Sequence, residues 1–151
     1  MNENLLQEII RNKVLMTSLS AWALAQTIKV MLGVIKERKF NFKWFAGTGG
    51  MPSSHVSGMM SLATSVGFVC GFSSYQFAVA FVLALIVMFD AQGVRRSTGR
   101  QAIILNKILD DIYWKKKIEE KKVMDFFGHT PVEVLVGAVI GVIVSVISFK
   151  G

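Results

Sequence analysis

Gly128-His129-Thr130-Pro131-Val132-Glu133-Val134 runs directly into the uncharged block Val134 to Phe149, and that junction decides how the chain folds. Thr, then Pro, then Glu three positions after the Thr is a helix start. The hydroxyl of Thr130 caps, Pro131 takes the first helical position, and Glu133 reaches back to the Thr130 amide. The segment that follows is apolar on all sides, as a membrane helix is. At 151 residues the chain is one domain's worth of protein, 52% of it apolar, with a mean hydropathy of +0.50.

Working back along the chain, three further blocks have the same character. Val14 to Ile35 is interrupted only by Gln26 and Lys29 among its long polar residues, and Val56 to Phe72 and Phe77 to Phe89 carry no charge. A span needs roughly 20 residues. The middle two blocks reach that length by borrowing their flanks, Met51 to His55 and Asp90 to Val94, with Gly71-Phe72-Ser73-Ser74-Tyr75-Gln76 as the reversal between them. The expected fold is all-α, a single membrane-embedded domain over residues 1–151 with about four transmembrane helices. An interfacial amphipathic helix is added by Ile104, Leu105, Ile108, Leu109 and Ile112 at helical spacing. Gly67/Gly71 and Gly137/Gly141 offer small-residue spacing for close packing.

Four spans define two faces. One carries Arg11, Lys13 and Lys150. The other carries Lys36, Arg38, Lys39, Lys43, Arg95, Arg96, Arg100, Lys107, Lys115, Lys116, Lys117, Lys121 and Lys122. That bias predicts a multi-pass protein of the cell membrane with its basic face, and any active site on it, toward the cytoplasm. It also explains the net charge of +7 without a nucleic-acid partner. The segment Met1 to Ile10 is acidic and amphipathic and lacks the basic region and cleavage site of a signal peptide, so the first span is expected to be retained. The lone Cys70 sits in an apolar run and rules out a disulfide framework or thiolate metal site. A bundle this small is compatible with a homodimer.

Both histidines of the chain stand at the mouths of apolar segments on the basic face. His129 precedes Glu133 by four residues, so a carboxylate that caps the helix also stands where it can hold an imidazole N–H and raise its basicity. His is a nucleophile when so oriented. His55 follows Pro52-Ser53-Ser54 at another helix start, where free N–H groups favour an anion and an imidazole can protonate a leaving alkoxide. Each motif also has a plain reading, a capping box in one case and a helix-start signal in the other. Arg95 and Arg96, flanked by Gly93 and Gly99, read either as membrane anchors or as phosphate forks. Asp90 calls for a partner at the end of its apolar run, and one of these two arginines is the obvious one. Lys29 is either a snorkelling cation or a site residue, and Gln26, one turn earlier, suggests a polar stripe.

Taken together these residues resemble a known family. Pro52-Ser53-Ser54-His55 is similar to the Pro-Ser-Gly-His motif of the type 2 phosphatidic acid phosphatase superfamily, which includes the vanadium-dependent haloperoxidases. His129 to Gly137 is similar to that superfamily's closing His-x-x-x-Asp helix. The set Gly-Gly-Met-Pro-Ser-Ser-His, Asp-Ala-x-Gly-Val-Arg-Arg and Gly-His-Thr-Pro-x-Glu-Val resembles a small divergent branch of membrane proteins related to acid phosphatase and vanadium haloperoxidase. The resemblance covers roughly residues 22 to 141.

It implies His129 as the nucleophile of a phosphohistidine, Glu133 in place of an orienting Asp, and His55 as the acid. Ser53, Ser54, Arg95, Arg96, Lys29 and Lys36 would bind phosphate. The chain departs from the pattern in three places. Val123 stands where the superfamily has an Arg six positions before the nucleophile, Ser54 replaces the motif Gly, and no Pro follows the Lys29/Lys36 pair. The implied activity is a lipid phosphate phosphatase that needs no metal or other cofactor, with phosphatidylglycerophosphate, phosphatidate or a polyprenyl diphosphate as substrate. The alternative is a lipid-binding protein or scaffold that keeps a phosphate pocket without turnover. Haloperoxidase-like oxidation is the weakest third reading.

Overall fold

A computed structural model describes residues 2–38, 50–92, 101, 104–105, 108 and 130–151. Five helices make up the described elements: α1 (Asn2–Arg11), α2 (Lys13–Glu37), α3 (Ser54–Cys70), α4 (Tyr75–Gln92) and α5 (Pro131–Lys150). Each begins or ends where the local chemistry requires. Asn12 breaks α1 from α2 and caps the latter, accepting from the Leu15 N–H at 3.1 Å. Gly71, at φ +89°, stops α3 in the left-handed region that suits glycine. Ser74 then starts α4 by accepting from the Phe77 N–H at 3.2 Å.

Three of the helices are long and apolar enough to cross a membrane: Lys13–Ile35 within α2, Tyr75–Gln92 and Pro131–Lys150. The second of the four expected spans, α3, is 17 residues, about 25 Å at 1.5 Å per residue. It is the hub nonetheless, packed by α2, α4 and α5. The flanks the short blocks borrow are visible. α3 takes in Ser54 and His55 of the first flank and α4 takes in Asp90 to Gln92 of the second, while Tyr75 and Gln76 of the expected reversal are already helical. Of the residues expected to form an interfacial helix, Ile104, Leu105 and Ile108 are helical and exposed, and Leu109 and Ile112 lie outside the described residues.

The interior is built the opposite way from that of a water-soluble bundle. Among the described residues its largest fully buried side chains are Val56, Val134, Pro52 and a set of serines, Ser53, Ser54, Ser57, Ser61, Ser65 and Ser145. The large apolar residues point outward, among them Leu19, Leu24, Met31, Ile35, Val79, Ile86, Phe89, Leu135, Val139 and Ile147. Water would penalise so much exposed apolar surface, whereas lipid tails accept it and leave small residues to pack helices closely.

One seam organises the bundle. On α5, Glu133, Gly137, Gly141 and Ser145 recur every four residues, and they run alongside Ser53, Ser57, Ser61 and Ser65 on α3. A methyl added at Gly137 would collide with the Ser53 carbonyl, and one at Gly141 with that of Ser57. Further along, the Ser145 hydroxyl lies 2.9 Å from that of Ser61 and 3.1 Å from that of Ser65. The two helices are therefore parallel and nearly in backbone contact. α2 runs the other way on α3, since Ser57 Oγ donates to Ala21 O at 3.0 Å and Ser61 Oγ to Thr17 O at 3.3 Å. The Gly67/Gly71 pair has a different role from the interhelical one its spacing suggests. Gly67 lies beneath the Phe72 ring, and Gly71 caps.

Candidate functional site

The directions of the helices bring the start of α3, the end of α4 and the start of α5 to the same end of the bundle. Val56, Ala91, Val134 and Ala138 form one buried cluster there, with Met60 and Met88 against it. The described helix ends of the three motif-bearing segments therefore meet, although they lie far apart along the chain.

α5 begins as its sequence prescribes. Thr130 is the N-cap, Pro131 the first residue, and the box is closed in both directions: Thr130 N–H donates to Glu133 Oε2 at 3.0 Å, and Glu133 N–H to Thr130 Oγ1 at 3.4 Å. The carboxylate is thereby fixed at the mouth of the helix, one residue beyond which stands His129 in the sequence. His129 itself lies outside the described residues, as do Arg95 and Arg96.

α3 begins with Ser53 as N-cap, its hydroxyl accepting from the Val56 N–H at 3.5 Å. Ser53 and Ser54 are both buried, and His55 beside them in the first turn is exposed. The two helix starts are tied directly, because Ser53 N–H donates to the Glu133 carbonyl at 3.1 Å. One backbone bond thus sets the position of Glu133 relative to the turn that carries His55.

Lys29 is a buried cation. It is 5% exposed within α2, and Gln26, one turn before it, is 7% exposed. A Cβ added to Gly50 would sit 3.5 Å from Lys29 Cγ and 3.6 Å from Cδ, so the lysine stem runs against the Gly50 loop that leads into Pro52-Ser53. Gly50 holds φ +97° there. Lys29 is thus buried against the loop that leads into the motif. Lys36 lies near the end of α2, and its side chain is outside the described residues. Asp90 is exposed near the end of α4. Among the described residues no three of His, Cys, Asp and Glu gather into a metal-holding group.

Sequence reasoning missed the serines. Ser57, Ser61, Ser65 and Ser145 position the site through the seam rather than touching it. Their four-residue spacing is the one signal that could have shown them.

The chain is 37% identical to the uncharacterized membrane protein YuiD of Bacillus subtilis (strain 168), over 93% of this chain and 96% of that protein. No solved structure matches it. The model of the divergent PAP2 family matches residues 10–144, which takes in α2 to most of α5 and every motif above. The chain is a membrane protein that belongs to the divergent PAP2 family.

Proposed function

We propose that the protein is a metal-independent lipid phosphate phosphatase whose site opens at the cytoplasmic face of a four-span bundle, with α3 as the fourth span. The observation that carries this reading is the bond from Ser53 N–H to the Glu133 carbonyl, which joins the His55 turn to the Glu133 turn beside the buried Lys29.

In this mechanism His129 attacks the phosphorus of a lipid phosphate while the bond to the lipid oxygen breaks. His55 gives its proton to that departing oxygen. Glu133 stabilises the imidazolium character that develops on His129. Lys29, Lys36, Arg95, Arg96 and the Ser53–Ser54 turn hold the phosphoryl oxygens, which carry most of the transition-state charge. Water then attacks the phosphorus of the phosphohistidine, breaks the P–N bond and releases inorganic phosphate. Asp90 pairs with one of the arginines.

The preferred substrate is phosphatidylglycerophosphate, a monoester presented on the cytoplasmic side where the basic face lies. Purified protein should release phosphate from phosphatidylglycerophosphate in the presence of chelator and be inhibited by vanadate. No release from any of phosphatidylglycerophosphate, phosphatidate and a polyprenyl diphosphate would leave the lipid-binding scaffold as the reading. Loss in chelator with recovery in Mg²⁺ would exclude the histidine mechanism.

A further inference from the structure

Helix α1 touches α2 alone among the described elements. At helical spacing its Leu5, Leu6, Ile9 and Ile10 share one side, and Asn4, Gln7, Glu8 and Arg11 share the opposite one. All four apolar side chains are exposed, from 44% for Ile9 to 64% for Ile10. A helix of 10 residues is marginal in water, where about 12–15 residues are needed even by good helix formers. The apolar side of α1 therefore needs an apolar phase to rest on.

The chain around α1 says what that phase is. Lys13, where the long apolar helix α2 begins, follows α1 after the single residue Asn12. Asn12 leaves the helical region, at φ −70° and ψ 95°, so α1 departs from the axis of that span. The end of the bundle beside it has the makings of a headgroup level. Lys13 Nζ lies over the Phe149 ring and Lys150 Nζ over the Phe68 ring, and Phe72 and Tyr75 are exposed at the same end. Rings and cations at the end of an apolar bundle mark the boundary between hydrocarbon and water.

We propose that α1 docks on the lipid surface at the end of the bundle away from the His55 turn. Leu5, Leu6, Ile9 and Ile10 enter the acyl chains there, and Asn4, Gln7, Glu8 and Arg11 stay among the headgroups. The surface it takes is one of any headgroup charge. Glu8 and Arg11 cancel on the polar side, so the apolar side supplies the binding and attraction to anionic lipid adds little. Four apolar side chains fall far short of the roughly 20–30 residues a side of a stable protein interface, which favours lipid over a second copy of the chain. With one residue between the helices, α1 also holds the start of α2 at the depth of the interface. None of this rests on the phosphatase reading.

Nitroxide labels on single cysteines test the placement, in the full chain with Cys70→Ser, reconstituted in nanodiscs. Their collisions with oxygen, which concentrates in hydrocarbon, are compared with collisions with a water-soluble nickel chelate. Labels at Leu6→Cys and Ile10→Cys should be oxygen-rich and nickel-poor, and labels at Asn4→Cys and Gln7→Cys the reverse, severalfold each way. The contrast should be the same in phosphatidylcholine and phosphatidylglycerol discs. Leu5→Gln/Ile9→Gln, which leaves the labelled positions and the bundle interior untouched, should erase it. Nickel access at all four positions puts α1 in water and overturns the proposal. Exclusion of both agents at positions 6 and 10, with spin–spin broadening, overturns it in favour of a second copy. A contrast confined to phosphatidylglycerol overturns docking without regard to charge, and one that survives the double substitution overturns the apolar anchor.

Discussion

Glu133 serves the fold and the proposed chemistry with different atoms. Its Oε2 accepts from the Thr130 amide, its own N–H donates to Thr130 Oγ1, and its carbonyl accepts from Ser53. Glutamine fills the same box, so Glu133→Gln should fold with an unchanged melting temperature. Turnover should nevertheless fall roughly a hundredfold, because a neutral amide cannot stabilise an imidazolium. Folded protein with full activity would reduce Glu133 to a helix cap. Lys29 separates the two functions more sharply still. A lysine inside a membrane helix is expensive. Lys29→Met keeps a stem for Gly50 to rest on and removes the cation. KM for a lipid phosphate should rise roughly tenfold in the folded variant. A variant that unfolds yet leaves KM unchanged in the surviving fraction would make Lys29 structural.

The seam between α3 and α5 is the element through which these residues find one another. Because Glu133, Gly137, Gly141 and Ser145 share one stripe, the closeness permitted at the two glycines and the hydroxyl bonds at Ser145 fix how far α5 slides along α3, and hence where Glu133 stands. Ser145→Ala removes hydroxyl contacts to Ser61, Ser65 and Gly141. At about 0.6 kcal/mol per hydroxyl bond in a membrane, the loss should be about 1–2 kcal/mol in detergent unfolding. Ser20→Ala, which removes only a bond to Met16 within its own helix, should cost close to nothing. Gly141→Leu must push α5 off the Ser57 carbonyl and should lower both stability and turnover; retained activity would disconnect the seam from the site. The helices themselves were legible in the sequence because apolar runs and caps are local. Thr130-Pro131-Val132-Glu133 reads the same way in the chain and in the fold, and so does the Gly71 reversal. The serine stripe was not legible, since a serine in an apolar helix has no direction until its neighbours are placed. Gly137 and Gly141 showed that a close crossing existed without showing its partner. Lys29 was ambiguous for the same reason: its burial depends on the Gly50 loop, which returns to it from the next segment.

At the scale of the whole molecule the two ends of the bundle differ in kind. One gathers the motif-bearing helix ends and Lys29. The other gathers aromatic rings, with Phe68 stacked on Phe149 at 5.7 Å, Phe72 edge-on to Phe68 and Phe77, Lys13 Nζ 4.6 Å from the centre of the Phe149 ring and Lys150 Nζ 5.9 Å from that of Phe68. Rings and lysines in this arrangement suit a headgroup interface. Two of the three basic residues on that sparsely charged face are thus engaged with rings, and α1 lies beside them with Leu5, Leu6, Ile9 and Ile10 exposed. In the sequence the densely basic segments follow the helix ends at the opposite end, and short basic loops stay cytoplasmic. The orientation expected from that bias would put Ser73 outside the cell and Arg38 inside. In a Cys70→Ser background, a membrane-impermeant thiol reagent added to intact cells should modify Ser73→Cys and spare Arg38→Cys until the membrane is opened. Modification of Arg38→Cys alone would invert the protein. The site would then face outward, phosphatidylglycerophosphate made on the inner leaflet would be out of its reach, and a lipid phosphate of the outer leaflet would become the substrate to test.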